Sequence, residues 1–170
     1  MAATYEPIAS TTLASNAADF TFTSVPSTFT DLVVVVSART TSSTVYDDLC
    51  MQFNGDTGTN YSRTYMNGNG SVAASGRTSN NANFFFWYST GTNMAANVYP
   101  MSIVHLMNYS NTNVYKTGLI NMATPDAVAH RQVGLWRSTA AISSIKIYPI
   151  VGGSNIEAGS TLSLYGIKAA

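Results

Sequence analysis

The chain has 170 residues, which suits one domain of ordinary size, and we expect a single domain over residues 1–170. Hydrophobic residues make up 45% of the chain and charged residues only 9%, so its polar surface must come mainly from Ser, Thr and Asn. Eight basic and eight acidic residues give a net charge of zero without any Lys or Arg cluster, which argues against nucleic-acid binding and against attraction to an anionic membrane.

The first half of the chain contains short strand-like segments separated by turn residues, and no window keeps the apolar spacing of an amphipathic helix. The unbroken apolar run at 32–36 predicts a central strand that is buried on both faces. Asn-Gly pairs at 54–55 and 67–68 predict tight turns. Residues 71–83 are small and polar, and we expect an exposed loop or a weak edge strand there. The strands predicted in this half lie at 5–13, 20–23, 32–36, 47–53 and 61–66.

The second half of the chain continues this pattern of short strands and turns. Residues 101–108 alternate, and a turn joins them to a second strand-like segment at 114–122, so the two are predicted to form a hairpin. Further strands are predicted at 132–136, 142–147 and 161–167. The total of nine or ten short strands is typical of an all-β antiparallel sandwich, and a jelly-roll-like arrangement is the closed form expected for a domain of this size.

The most aromatic run in the chain lies at 84–88. Five consecutive aromatic residues are typical of a strand that buries one face in its own core and the other against a partner. A stacking platform for sugars or bases is the alternative. We predict an interface with a partner protein that includes Phe84, Phe86, Trp87 and Tyr88.

The residue types that catalyse reactions do not form a recognisable constellation in this sequence. His105 lies among apolar residues and is expected to be a packed or interface histidine, whereas His130 is placed in a loop beside Arg131. No Gly-x-Ser-x-Gly motif accompanies them, and the carboxylates stand mostly at turns, where Asp is common. We therefore predict no catalytic residue and no enzymatic activity.

A metal or cofactor site is also not expected. Cys50 is the single cysteine, which excludes an intrachain disulfide, and we expect it to pack as a small hydrophobe. The oxygen-rich loop 54–60 could hold Ca²⁺, but it has one carboxylate and no EF-hand spacing, so a structured turn is favoured. Trp136 is expected in the core, with Arg137 paired to a carboxylate of a nearby loop.

Several segments together carry a resemblance to a known family. They are DFTFTSVP (19–26), FTDLVVV (29–35), FNGD (53–56) with NYS (60–62), LWRSTAAI (135–142) with IKI (145–147), and GSTLSLYGI (159–167). As a set they resemble the small β-sandwich virion structural proteins of tailed bacteriophages, especially those of marine and cyanobacterial hosts. The resemblance runs from about residue 15 to the C-terminus, is thinner between residues 71 and 98, and carries no catalytic residue.

The resemblance implies a place on the virion surface, either on the capsid or on the tail. We expect a capsid decoration (cement) protein that docks on the outside of the major capsid protein lattice and associates with copies of itself as a homotrimer or dimer. This choice over the tail rests on the chain starting at its own methionine without a shaft or heptad repeat.

Two other functions are weighed against decoration. A receptor- or glycan-binding domain of a tail fibre or tail appendage is the alternative, and a polysaccharide-degrading enzyme would need paired carboxylates that the sequence does not offer. Neither a signal peptide nor an apolar run of membrane-spanning length is present, so we expect synthesis in the host cytoplasm.

Overall fold

The computed structural model describes residues 4–125 and 127–168, with residues 85–88 described by their backbone alone. These residues form twelve antiparallel strands, and none of them forms a helix that could cross a membrane. The strands are β1 (Tyr5–Thr12), β2 (Phe20–Phe22), β3 (Asp31–Ser37), β4 (Tyr46–Phe53), β5 (Tyr61–Gly68), β6 (Ala73–Asn81), β7 (Phe84–Thr90), β8 (Met101–Met107), β9 (Lys116–Thr124), β10 (Val128–Trp136), β11 (Ile145–Pro149) and β12 (Thr161–Ile167).

The strands form two sheets, of eight and four strands. The large sheet has the order β1-β12-β3-β8-β9-β10-β5-β6, and the small sheet has the order β2-β11-β4-β7. Without the hairpins β5–β6 and β9–β10, the orders become β1-β12-β3-β8 and β2-β11-β4-β7, which is the arrangement of a jelly roll. The all-β antiparallel sandwich predicted from the sequence is therefore confirmed.

The two additional hairpins widen one sheet of this frame. Strand β9 pairs with β8, β10 pairs with β5, and β6 forms the outer edge. The large sheet thus extends past the small one on the side of these hairpins. The twelve strands exceed the nine or ten predicted, in part because residues 73–81, for which a loop was one of two expectations, form the edge strand β6.

An aromatic cluster fills the core where the two sheets face each other. The ring of Phe53 lies 5.3 Å from that of Phe84 and 5.4 Å from that of Trp136, between ring centroids. The ring of Phe84 also lies over Gly118 and Gly134, which stand directly opposite each other on β9 and β10. The absence of a side chain at these two positions leaves the space that Phe84 occupies.

The apolar run in β3 occupies the central position predicted for it. Strand β3 pairs with β12 on one side and β8 on the other, and Leu32, Val34 and Val36 are almost fully buried. Cys50 in β4 is completely buried, as expected of a small hydrophobe. Trp136, at the end of β10, is 2% exposed and belongs to the core, which confirms that prediction.

Candidate functional site

The outward face of the large sheet carries a wide concave surface. Five neighbouring strands contribute to it, β8, β9, β10, β5 and β6, and residues directly opposite each other in the register share a face of the sheet. Two cross-strand rows result, Met101–Ala123–Ala129–Gly68–Ala73 and Ile103–Asn121–Arg131–Met66–Ser75. We call the groove that these rows line, with a volume of about 1510 Å³, the outer groove.

The shape of the outer groove follows from the sizes of its side chains. Met101 and Met66 stand on non-adjacent strands and are 53% and 61% exposed. On the two strands between those of Met101 and Met66, the first row holds Ala123 and Ala129, whose side chains are too short to fill the space. Methionine side chains are flexible and polarisable, so they adapt well to a partner surface. The arrangement therefore suits non-covalent docking.

The described residues that line the outer groove carry almost no charge. Among the described residues that line it, Arg131 on β10 is the single charged one, and Asn121 on β9 is its partner in the register. A docking surface of this kind gains most from apolar contact, and its binding should depend little on salt.

His130 lies on β10, and the prediction that it stands in a loop is wrong. Strand β10 begins at Val128, so His130 and Arg131 point to opposite faces of the sheet. Arg131 reaches the outer groove, whereas His130 is 4% exposed and stacks on Tyr65 with ring centroids 5.4 Å apart. Burial lowers the pKa of His130, and a hydrogen bond to Gln132 only partly opposes this.

His105 makes a hydrogen bond to Asp31 on the outward face of the large sheet. Its Nε2 lies 3.0 Å from Oδ2 of Asp31, on the adjacent strand β3. The second carboxylate oxygen, Oδ1, accepts a hydrogen bond of 2.8 Å from the backbone N–H of Asn108. Both oxygens of Asp31 therefore bind protein groups, and the arrangement ties the end of β8 to β3.

The loop 54–60 is a structured turn built around Asp56. Oδ1 of Asp56 accepts the backbone N–H of Gly58 at 2.8 Å, and Oδ2 accepts the indole N–H of Trp136 at 2.7 Å and the side-chain amide of Asn60 at 3.0 Å. Asn54 and Gly55 adopt positive φ angles of 55° and 69°, as expected for an Asn-Gly turn. A cation bound to this carboxylate would have to displace donors from the protein.

Burial opposes ionisation of Asp56, but the hydrogen bonds from Trp136, Asn60 and Gly58 outweigh it and lower the pKa of the carboxyl below its ordinary value. No group of three or more His, Cys, Asp or Glu side chains suited to a metal ion occurs in the part of the chain that the structure describes.

Arg137 pairs with no carboxylate among the described residues and bonds to uncharged oxygens instead, so that prediction is wrong. Its Nη2 donates to the backbone carbonyl of Thr59 at 2.5 Å and to the side-chain oxygen of Asn80 at 2.8 Å. Because both acceptors are uncharged, no pattern of acidic residues could have indicated them. The guanidinium joins the β4–β5 turn to the end of β6.

The four residues predicted at an interface lie in β7, an edge strand of the small sheet. Phe84 is 2% exposed and packs inside the sandwich, so its ring cannot contact a partner directly in this fold. The side chains of Phe86, Trp87 and Tyr88 lie outside the described residues, and their contribution to an interface stays a prediction.

The residues of the outer groove were not predicted as a site. The alternation of Met101 and Ile103 along β8 was a usable signal, because it places both side chains on one face. What the sequence alone does not reveal is that β5 lies beside β10. This pairing of distant segments brings Met66 onto the same surface.

Comparison with known proteins adds no relative to this description. No protein-family model matches the chain, and the search of curated proteins finds no matching sequence. The resemblance to phage virion proteins therefore rests on the sequence segments alone and stays a prediction.

Proposed function

We propose that the chain is a non-enzymatic structural protein of a bacteriophage virion, which docks as a decoration (cement) protein on the outside of the major capsid protein lattice. The outer groove carries the docking part of this proposal. Its described residues form an exposed, concave and nearly uncharged surface, with Met66 and Met101 more than half exposed. The sequence segments that resemble phage proteins support the virion part.

Exposed apolar surface of this kind is typical of a protein that is covered in use. Soluble monomers rarely expose large contiguous apolar patches, and those that do commonly bind a partner there. On a capsid the same weak contact recurs at every lattice position, and avidity can hold a subunit that binds through more than one copy. The capsid exterior is therefore the proposed location of the protein.

The copy number per particle tests the virion part of the proposal. Particles of the phage that encodes the chain would be purified, and the chain would be quantified by mass spectrometry relative to the major capsid protein. We expect roughly hundreds of copies, as for a subunit that repeats with the lattice. Tens of copies or fewer would place the protein on the tail and contradict decoration.

Binding of the purified chain to particles that lack it tests the outer groove. Met66→Lys and Met101→Lys would each place a charge in the apolar contact and should weaken binding by about tenfold or more, without unfolding the protein, because both side chains are exposed. Val151→Lys is the matched control, since Val151 is also exposed (41%) and lies outside the outer groove. Equal binding of the groove and control variants would contradict the proposed surface.

The second candidate function is a receptor- or glycan-binding domain of a tail fibre or tail appendage. The polar residues of the outer groove favour it, since Asn121 and Arg131 can donate hydrogen bonds to sugar hydroxyls. A glycan array probed with the purified chain distinguishes the two candidates. The tail domain would be favoured over decoration if the chain binds a glycan, if Arg131→Ala abolishes that binding, and if the chain has a low copy number per particle.

A further inference from the structure

The edges of the two sheets differ in how well they are protected against pairing with another strand. An edge strand presents unpaired backbone N–H and C=O groups, and proteins protect such edges with proline, bulges, charges or short length. Strands β1 and β6 form the edges of the large sheet, and β2 and β7 form those of the small sheet. These four strands are therefore the places where a second chain could add to a sheet.

Three of the four edges carry protective features. Strand β1 contains Pro7, which has no N–H, and its pairing with β12 is irregular between Pro7 and Ala9. Strand β2 is only three residues long. The pairing of β7 with β4 is irregular between Asp47 and Leu49, and Thr90 at the end of β7 forms a further bridge to Arg39.

Strand β6 lacks such protection over most of its length. It spans nine residues, and its pairing with β5 runs without irregularity from Ala73 to Thr78. The irregularity in this strand lies at its far end, near Asn80, which has a positive φ of 60°. Ala73, Ala74 and Ser75 are exposed, and the strand contains one charged residue, Arg77. Its regular part is therefore open to backbone pairing.

We propose that β6 pairs in antiparallel fashion with β6 of a second copy of this chain, which joins two eight-stranded sheets across a two-fold axis. A two-fold axis brings the same patch of both copies together, and two copies of one strand related by such an axis perpendicular to the sheet run antiparallel. The free edge of β6 in one copy then pairs with the free edge of β6 in the other, and no different partner strand is needed.

The positions of the side chains along β6 agree with this pairing. Ala73, Ser75 and Arg77 lie on the outward face of the sheet, and residues directly opposite each other must share a face. An axis at Ser75 places Arg77 opposite Ala73, and an axis at Gly76 places Arg77 opposite Ser75. In both registers each Arg77 faces an uncharged residue, so the pairing opposes no like charges.

The pairing would also join the two outer grooves. Both cross-strand rows end on β6, at Ala73 and Ser75. With the axis at Ser75, the row that ends at Ser75 continues into the same row of the second copy on a single face of the joined sheet. The dimer does not depend on the proposed capsid docking, because it is a property of the free chain.

Sedimentation velocity of the purified full chain tests the proposal over a range of concentrations. We expect a concentration-dependent species with twice the 18.1 kDa mass of the chain. Ser75→Lys places like charges opposite each other in both registers, because the new lysine faces either the same lysine or Arg77 of the second copy, and it should weaken the dimer by about tenfold. Thr12→Lys, at an exposed position of the edge strand β1, is the matched control and should leave the dimer unchanged.

Hydrogen exchange locates the contact independently of any substitution. Amides of residues 73–78 should exchange more slowly at high protein concentration than at low concentration, while those of β1 should not change. The proposal would be overturned if the chain sediments as a monomer at every concentration or as a trimer. It would also be overturned by a dimer that Ser75→Lys does not weaken. Because no capsid is involved, these results are separate from the test of decoration.

Discussion

The indole N–H of Trp136 donates a hydrogen bond of 2.7 Å to the carboxylate of Asp56, and this bond fastens the β4–β5 turn to the end of β10. Trp136 is almost fully buried, and the same carboxylate also accepts the backbone N–H of Gly58 and the side chain of Asn60. One acidic residue thus satisfies a buried donor and closes a turn.

Removal of the Asp56 carboxylate should destabilise the protein. Asp56→Ala leaves the indole N–H of Trp136 without this acceptor, and we expect the free energy of unfolding to fall by about 1–3 kcal/mol. Asp19→Ala is the control, because Asp19 forms an exposed ion pair with Lys146 that contributes about 0–1 kcal/mol. Urea unfolding followed by tryptophan fluorescence measures both, and equal losses would contradict the role given to Asp56.

The contribution of Asp56 should depend on pH. Its pKa is lowered in the folded state, from an ordinary value of 3.8, so the fold favours the ionised form. The stabilisation is therefore fully present above about pH 4 and is lost as the pH falls through the folded pKa. The difference in unfolding free energy between the wild type and Asp56→Asn should shrink below pH 3.8. A difference that stays constant down to about pH 2 would contradict this account.

A methyl group at Gly134 should be poorly tolerated. A Cβ built there overlaps the ring of Phe84, which lies between the sheets, whereas a Cβ at Gly152 meets no atom within 4 Å. We expect Gly134→Ala to lower the free energy of unfolding by about 1–3 kcal/mol and Gly152→Ala to leave it nearly unchanged. In the double variant with Phe84→Leu, part of the loss should be recovered, because leucine is shorter than phenylalanine. Additive losses would show that the overlap is not the cause.

Lys116 should be the most important lysine for stability among those described. It is 1% exposed, and its Nζ donates to the backbone carbonyls of Asn111, Val114 and Thr139 at 2.5, 2.8 and 3.1 Å. Lys116→Met removes these donors, and we expect it to lower the free energy of unfolding by about 2–3 kcal/mol. Lys146→Met breaks the exposed ion pair with Asp19 and should lower the free energy of unfolding by less than about 1 kcal/mol. Thermal unfolding compares the two, and similar losses would refute the prediction.

The thiol of Cys50 should react only when the protein unfolds. The residue is completely buried, and burial, with a smaller contribution from the nearby Asp48, raises the pKa of the thiol. Because the thiolate is the reactive form, a disulfide reagent such as DTNB should label the unfolded protein rapidly and the native protein only at the rate of opening. Rapid labelling without denaturant would contradict the burial of Cys50.

Sequence patterns were enough to predict the strands that form the frame of the fold, because such patterns arise from residues that are close together in the chain. The apolar run in β3 and the alternation in β8 each identify a strand. The hairpin of β8 and β9 also follows from local signals, although β9 begins at Lys116 rather than at residue 114. These features need no knowledge of distant contacts.

The outer groove and the environment of His130 depend on contacts that the sequence does not reveal. His130 follows a short Ala-Val-Ala segment with weak strand character, and its place in β10 is secured by pairing with β5 and β9. Likewise, Arg137 bonds to uncharged oxygens, whereas charge patterns could suggest only carboxylates. Such contacts follow from tertiary pairing, which local propensity does not encode.

The position of β12 has a consequence for how the protein folds. This strand lies between β1 and β3, so β1 has no neighbour in the sheet until residues 161–167 are available. During synthesis, the large sheet cannot close while those residues are still inside the ribosome, and the apolar edge of β3 stays open until then. Closing contacts between such distant parts of a chain is slow. The domain must therefore complete its folding only after all twelve strands have left the ribosome, and the interval before this is when it is most prone to aggregate.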